Sequence, residues 1–416
     1  MPRFLELFLW IVLAMLTVVL PNAFKEVSGG ILLILTAYYL FVPKRTGIDR
    51  NFLLMWVASS VVTIGYLFIG YLNGAPEDAY LQIPFIYIIS PMLWAIALHG
   101  VILRYGIVKI VDALVILTVV AIASQAFYFW AFSALGPQAV EFMAGNPNVD
   151  LSEHSSAAVM YVFGSMIFLY GGLMASPEIV RSKLLRYGLI SLAFASTFTS
   201  GRSALILSLF LGVGVSLVAS PMFVRKRSSN SILNIAMAGA VLAICGAVLA
   251  QLYGIDILVP LEALLEKIVS AGGAGRSDYL PYLFYGAVED SFLGAGHGIG
   301  VQYVVNERYP WRYEIVGLAT LYRVGIVGTI IYALPFLLAM TKSIRLWRAN
   351  LLIPQEKFLC GASIAAFVGA NTNPYIEAYA FQWMYVLPCL YFIGLRRSGG
   401  TRAATRPAGF PQTVAA

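Results

Sequence analysis

Charged side chains are scarce in this chain: Asp, Glu, Lys and Arg make up 11% of its 416 residues, whereas hydrophobic residues make up 60%. A soluble domain of this length carries about 25% charged residues. Apolar runs close to the thickness of a bilayer recur from end to end, which predicts a polytopic membrane protein. The spans are expected to be helical, because lipid offers no hydrogen-bond partner to an open backbone edge.

Residues that bind metals or close disulfides are equally few. The three cysteines, Cys245, Cys360 and Cys389, all lie in apolar runs, and the three histidines are scattered along the chain. This distribution favours neither a disulfide framework nor a zinc site. The chain also lacks HExxH, paired-aspartate and Ser/His/Asp patterns. We therefore expect no metal and no bound cofactor.

The hydropathy pattern predicts about twelve transmembrane helices. They run over residues 4–21, 28–43, 51–72, 80–102, 108–135, 154–175, 185–199, 203–223, 231–253, 313–340, 357–373 and 378–395. The chain is then divided into nine helices within 1–253, a large outer loop at 254–312, three helices within 313–395 and a polar, basic tail at 396–416. The loop contains half-apolar, aromatic-rich stretches, which predict amphipathic helices that lie against the membrane surface or fold back over the bundle. The tail is expected to be disordered.

Basic residues give the orientation of this bundle. With a cytoplasmic N-terminus, 20 of the 27 Lys and Arg residues fall in inner segments and seven in outer segments. Such an excess is typical of the cytoplasmic side. The net charge of +7 is therefore explained by the inner loops and does not indicate nucleic-acid binding.

An arginine in "SGRSALILSLF" remains on the outer side against this bias. Arg202 lies between two apolar runs, with no acidic residue within ten positions. It could reach the outer headgroups or pair with an outer carboxylate. It could instead bind phosphate, which a guanidinium recognises through two parallel hydrogen bonds. Four further outer arginines, Arg276, Arg308, Arg312 and Arg323, favour a lipid-linked diphosphate as the ligand.

Glu314 stands where the outer loop enters the tenth predicted span, in "RYEIVGLATLYRVGIVG". It could be a solvated end residue, an ion-pair partner of Arg312 or Arg323, a general base, or a group that orients a sugar hydroxyl. On a regular helix Glu314 and Arg323 are separated by about 900°, which places them on opposite faces. They could share one pocket only if that helix were broken.

Three motifs occur in order: "TSGRSALILSL", "GRSDYLPYLFYGAVEDSFLGAGHGIG" and "EIVGLATLYRVGIVG". Over residues 195–335 the chain thereby resembles the O-antigen ligase and polymerase superfamily of bacterial envelope glycosyltransferases. The ligase pattern has histidine-asparagine eleven residues before the first glycine of GxxG. Counting back from Gly325, this chain has Glu314 and Ile315 there, which resembles the polymerases more closely.

The resemblance implies an inner-membrane enzyme whose active face is periplasmic and whose two termini are cytoplasmic. It would transfer a glycan from undecaprenyl pyrophosphate to a second lipid-linked glycan, without metal or nucleotide sugar. Arg202 and Arg276 are its implied diphosphate ligands, and together with Glu314 they are the catalytic candidates. The substrate-binding candidates are Arg308, Arg312, Arg323 and His297, although the glycine-rich "GAGHGIG" around His297 matches no phosphate-binding pattern and favours a loop.

The resemblance and the outer arginines also indicate the partners of the protein and two alternative functions. The lipid-linked glycan and the bilayer are the expected partners, and a protein that regulates chain length is a further candidate. One alternative is a ligase that passes the glycan to lipid A core or another acceptor. The other is a lipid or solute transporter, although transporters favour charges deep within spans and internal repeats.

Overall fold

The computed structural model describes residues 1–21, 23–41, 47–136, 138, 164–199, 203–219, 274–305, 307 and 309–395. The regular secondary structure of these ranges is helical. The helices are α1 (Arg3–Val18), α2 (Lys25–Phe41), α3 (Arg50–Leu72), α4 (Glu77–Pro84), α5 (Ser90–Tyr105), α6 (Ile107–Leu135), α7 (Met166–Ala175), α8 (Lys183–Thr199), α9 (Ser203–Ala219), α10 (Ala274–Glu289), α11 (Val316–Arg348), α12 (Pro354–Gly369) and α13 (Trp383–Leu390). A π-helical turn, Phe85–Ile89, joins α4 to α5, and a second, Tyr391–Leu395, extends α13.

Within the described ranges, four helical stretches are long and apolar enough to cross a bilayer: Arg50–Leu72, Glu77–Tyr105, Ile107–Tyr128 and Val316–Arg348. The helical secondary structure and these long apolar helices confirm the prediction of an all-α membrane protein. Each predicted span that has described residues contains a helix, and the span at 231–253 lies outside the described residues. The count of twelve crossings stays a prediction.

Small residues allow close helix packing at the centre of the bundle. All ten residues of α7 are buried. A β-carbon added at Gly171 of α7 would lie 2.3 Å from the Ala365 side chain of α12, and one added at Gly212 of α9 would lie 2.4 Å from the Gly171 carbonyl oxygen. Helices in lipid associate through such small-residue contacts, because apolar packing against lipid tails gives no hydrophobic gain.

Polar contacts form within each end of the bundle. Residues that the charge pattern places at the inner end pair with each other: Arg104 with Glu6 at 2.8 Å, and Lys357 with Glu178 at 3.2 Å. At the predicted outer end, Asn73 donates to the carbonyl oxygen of Ala295 at 2.8 Å. Each of these contacts joins two residues that the predicted topology places at the same end.

Helix α11 is broken at Gly325, and a glycine-rich loop, residues 290–300, completes its backbone hydrogen bonds. Gly325 has φ 62° and ψ −173°, a conformation that only glycine adopts readily. In an unbroken helix the amide of Ile326 would donate to the Tyr322 carbonyl. Here that amide donates to Phe292 at 3.0 Å, and the Tyr322 carbonyl accepts from Ala295 at 2.9 Å. The loop therefore replaces the bonds that the break removes.

The other side of this loop contacts the outer end of α3. The His297 amide donates to the Tyr66 carbonyl at 2.8 Å, and the Tyr66 hydroxyl donates to the Leu293 carbonyl at 2.7 Å. A β-carbon added at Gly70 would lie 1.9 Å from the His297 carbonyl oxygen. Part of the predicted outer loop is thus wedged between α3 and α11.

Replacing Gly70 with alanine should displace this loop. We expect Gly70→Ala to lower the free energy of unfolding by about 1–3 kcal/mol, the usual cost of overpacking, measured by thermal unfolding in detergent. Gly65→Ala is the matched control on the same helix, because a β-carbon there meets nothing within 4 Å. Equal melting temperatures for the two variants would contradict the close packing of the glycine-rich loop against Gly70.

Candidate functional site

The predicted site residues fall into three groups in the structure. Arg202 and Arg308 lie outside the described residues. Arg276 is in the first turn of α10, and only its backbone is described. The remaining four, His297, Arg312, Glu314 and Arg323, are described with their side chains. The predicted pairing of Arg202 with Arg276 on one diphosphate therefore stays a prediction.

Arg323 forms a buried ion pair with Glu377. Its Nη2 donates to Oε1 of Glu377 at 2.7 Å, and its Nε donates to the Ala319 carbonyl at 3.0 Å. The two side chains are only 1% and 5% exposed. The Tyr87 hydroxyl donates to the same carboxylate oxygen at 2.6 Å. Arg323 is thus held by protein groups, and its burial separates it from any substrate at the surface of the protein.

His297 lies beside this pair. Its Nε2 is 2.9 Å from the Tyr332 hydroxyl, which is 2.7 Å from the hydroxyl of Thr63. The rings of Tyr87 and Tyr332 stack with centroids 5.4 Å apart. Burial, reinforced by the charge of Arg323, lowers the pKa of His297 well below its usual value. We call Thr63, Tyr87, His297, Arg323, Tyr332 and Glu377 the buried polar cluster.

Glu377 was missed in the sequence analysis. It lies in "NTNPYIEAY", within a 3-10 turn that precedes α13. A carboxylate in a proline-containing turn resembles an ordinary solvated loop residue. The available signal was Arg323, a cation inside an apolar span that needs a nearby carboxylate to offset its desolvation.

Arg312 and Glu314 lie at the predicted outer end of the bundle. Arg312 donates from Nη2 to Oε1 of Gln82 at 2.9 Å, and its guanidinium lies 4.4 Å from the centroid of the Tyr309 ring. Glu314 is partly exposed and precedes α11, whose first turn is fixed by a bond from the Gly317 amide to Oδ1 of Asn371 at 2.9 Å. Because Glu314 is outside the helix, the expectation that it opposes Arg323 across one helix does not apply.

An apolar cavity of about 240 Å³ extends along α11 towards the inner end of the bundle. Its outer end is lined by Val316, Gly317 and Asn371, and its inner end by Phe52 and Cys389. Its 23 lining residues, all in the described part of the chain, include none that is charged. The cavity can therefore accept an apolar chain, while a charged headgroup would have to remain outside it.

Metal ligation has no support in the described ranges, where no three His, Cys, Asp or Glu residues are grouped to hold an ion. Comparison of the chain with family models, curated proteins and solved structures found no significant match. The geometry of the site is therefore the basis for the proposal of function below.

Removing one partner of the buried ion pair should strongly destabilise the protein. We expect Glu377→Ala to cost about 3–5 kcal/mol of unfolding free energy, because it leaves the Arg323 guanidinium buried and without its carboxylate. The control is Glu178→Ala, which breaks the exposed pair with Lys357 and should cost about 0–1 kcal/mol. Thermal unfolding in detergent measures both, and similar shifts in melting temperature would refute a structural role for Glu377.

Proposed function

We propose that this protein polymerises lipid-linked oligosaccharide repeat units of a surface polysaccharide, by glycosyl transfer from undecaprenyl pyrophosphate at the outer face of a bacterial inner membrane. The observation that carries the proposal is the apolar cavity, which begins at Val316 and Gly317, two residues beyond Glu314. This arrangement suits a substrate with an apolar chain and a charged head. The resemblance of residues 195–335 to the O-antigen ligase and polymerase superfamily supports the same assignment.

The cavity would hold only part of a polyprenyl chain, and the remainder would lie in the bilayer. Its 240 Å³ is below the usual range for a pocket that encloses a whole ligand, about 300–1,000 Å³. Because no lining residue is charged, the diphosphate would lie outside the cavity, and we propose that it lies at the outer end, close to Glu314 and Arg312. The reacting sugar would then stand between the diphosphate and the acceptor glycan.

In the proposed reaction, a hydroxyl of the acceptor repeat unit attacks the anomeric carbon of the donor glycan. The new glycosidic bond forms as the bond from that carbon to the diphosphate oxygen breaks, and undecaprenyl pyrophosphate leaves. Glu314 orients the hydroxyl or accepts its proton. Arg202 and Arg276 stabilise the negative charge that grows on the leaving group. Arg308 and Arg312 guide the anionic donor into place.

Two alternatives make different predictions. A ligase would pass the finished glycan to lipid A core, so its loss would leave long chains on undecaprenyl pyrophosphate, whereas loss of a polymerase would leave single repeat units on the acceptor. A transporter is favoured by one observation, the break in α11 beside a buried ion pair, since transporters bind substrates at broken helices. Release of undecaprenyl pyrophosphate by the purified protein would exclude a transporter.

The implied diphosphate ligand on α10 can be tested directly. We expect Arg276→Ala to reduce transfer by about 10²-fold or more while the protein inserts normally, because a charge-assisted contact to the leaving group is lost in the transition state. Arg276→Lys should recover little of this activity, since lysine cannot form the two-pronged contact. The readout is undecaprenyl pyrophosphate released from a lipid-linked glycan.

Lys25→Ala is the control for that experiment, because Lys25 is an exposed cation at the predicted outer end. It should leave the rate unchanged. A fully active Arg276→Ala protein would refute the assigned role of Arg276 in transfer.

The cavity has its own test on α11. Ala333 lines the cavity. Val327, on the same helix, is 63% exposed and points away from the protein interior. We expect Ala333→Trp to raise the KM for a long-chain donor severalfold, because the indole occupies space needed by the lipid chain, and Val327→Trp to leave it unchanged. Identical KM values for the two variants would show that the lipid chain does not use this cavity.

A further inference from the structure

Helix α10 presents three distinct faces. One face, formed by Tyr279, Leu283 and Ala287, is buried. Tyr279 packs against Tyr313 with ring centroids 5.3 Å apart, and Gly286 faces the ring of Tyr322. This face fixes α10 against the protein, so the remaining two faces decide what surrounds it.

The second face is an apolar stripe of Leu280, Phe284 and Val288, which are 40%, 47% and 42% exposed. Residues spaced by four lie on the same side of a helix. The third face contains exposed Asp278, Tyr282, Tyr285 and Glu289. At about 100° per residue, this polar side lies on average roughly 130° around the helix from the stripe. The exposed surface of α10 is therefore amphipathic.

The packing places α10 along the outer end of the bundle. It runs beside the outer segment of α11, residues 316–324, in the same direction, since Tyr279 meets Tyr313 and Gly286 meets Tyr322. Residues at both ends of the 316–324 segment contact elements at the predicted outer end of the bundle. Gly317 bonds to Asn371, which follows α12, and Gly325 is joined through the glycine-rich loop to the outer end of α3.

Other apolar side chains near the predicted outer end of the bundle are exposed as well. Leu293, which follows α10 in the glycine-rich loop, is exposed, as are Ile326 and Val327 of α11 next to the break. Phe68 near the outer end of α3 is exposed as well. Both α3 and α11 are long and apolar enough to cross a bilayer, so we expect their exposed apolar side chains to face lipid.

We propose that α10 is an interfacial helix whose apolar stripe is inserted in the outer leaflet of the bilayer and whose polar face is in water. A helix with one apolar and one polar exposed side occupies the boundary between headgroups and acyl chains. Tyrosines on the polar side suit that depth, because their rings are apolar and their hydroxyls are hydrated.

The placement bears on the proposed function. Arg276 is in the first turn of α10, and an interfacial helix holds that turn at the level of lipid headgroups, where the diphosphate of a lipid-linked donor lies. This consequence rests on the proposed function, whereas the membrane contact of α10 does not.

Site-directed spin labelling can test the membrane contact. The full chain carries Cys245→Ala, Cys360→Ala and Cys389→Ala, with one label introduced through Phe284→Cys or Tyr285→Cys, and is reconstituted in phosphatidylethanolamine and phosphatidylglycerol vesicles. A label at 284 should be severalfold more accessible to oxygen, which concentrates in lipid, than to a water-soluble nickel chelate. A label at 285, one residue away, should show the reverse. Leu280→Cys and Glu289→Cys form a second pair with the same expected contrast.

Two results would overturn the proposal. If the nickel chelate reaches both positions of each pair, α10 is a water-exposed cap. If neither reagent reaches the stripe, another protein or a second copy of this chain covers it. The measurement uses no substrate, so its outcome is independent of the transfer assays.

Discussion

The break of α11 at Gly325 is the constraint on which the outer half of this structure depends. Buried backbone amides and carbonyls need hydrogen-bond partners, so a helix that is broken inside the protein must find new ones. The glycine-rich loop supplies them through Phe292 and Ala295. Its close approach to α3 and α11 is allowed by glycines, which have no side chain to collide. The break and the loop therefore depend on each other.

This mutual dependence assembles the candidate site. The loop carries His297 into the bundle beside Arg323, and the buried polar cluster joins α3, the π-helical turn, α11 and the turn before α13. Helix α10 precedes the loop directly and packs on the outer segment of α11. Two residues proposed for chemistry, Arg276 on α10 and Glu314 just before α11, are thus attached to this arrangement, and the cavity lining begins two residues after Glu314, at Val316.

Sequence reasoning singled out four described residues of this region as candidates. The cation bias pointed to Arg312 and Arg323, the border between the outer loop and the tenth predicted span pointed to Glu314, and His297 was a candidate in the glycine-rich "GAGHGIG". It did not find Glu377 as the partner of Arg323, because 54 residues separate them and the turn at Glu377 reads as a solvated loop. It also treated Glu314 as a helical residue, whereas α11 begins at Val316, after Glu314. Hydropathy cannot locate a helix start to within two residues.

Sequence alone determined the class of the protein and the approximate positions of the described apolar helices, because each side chain contributes its own transfer free energy to a run of bilayer length. Which charges are buried together, where α11 breaks and where a cavity opens were decided only by the tertiary structure. Each depends on contacts between distant residues, such as Asn73 with Ala295, 222 positions apart. Such pairings are absent from a one-dimensional pattern and exist only after the helices have packed.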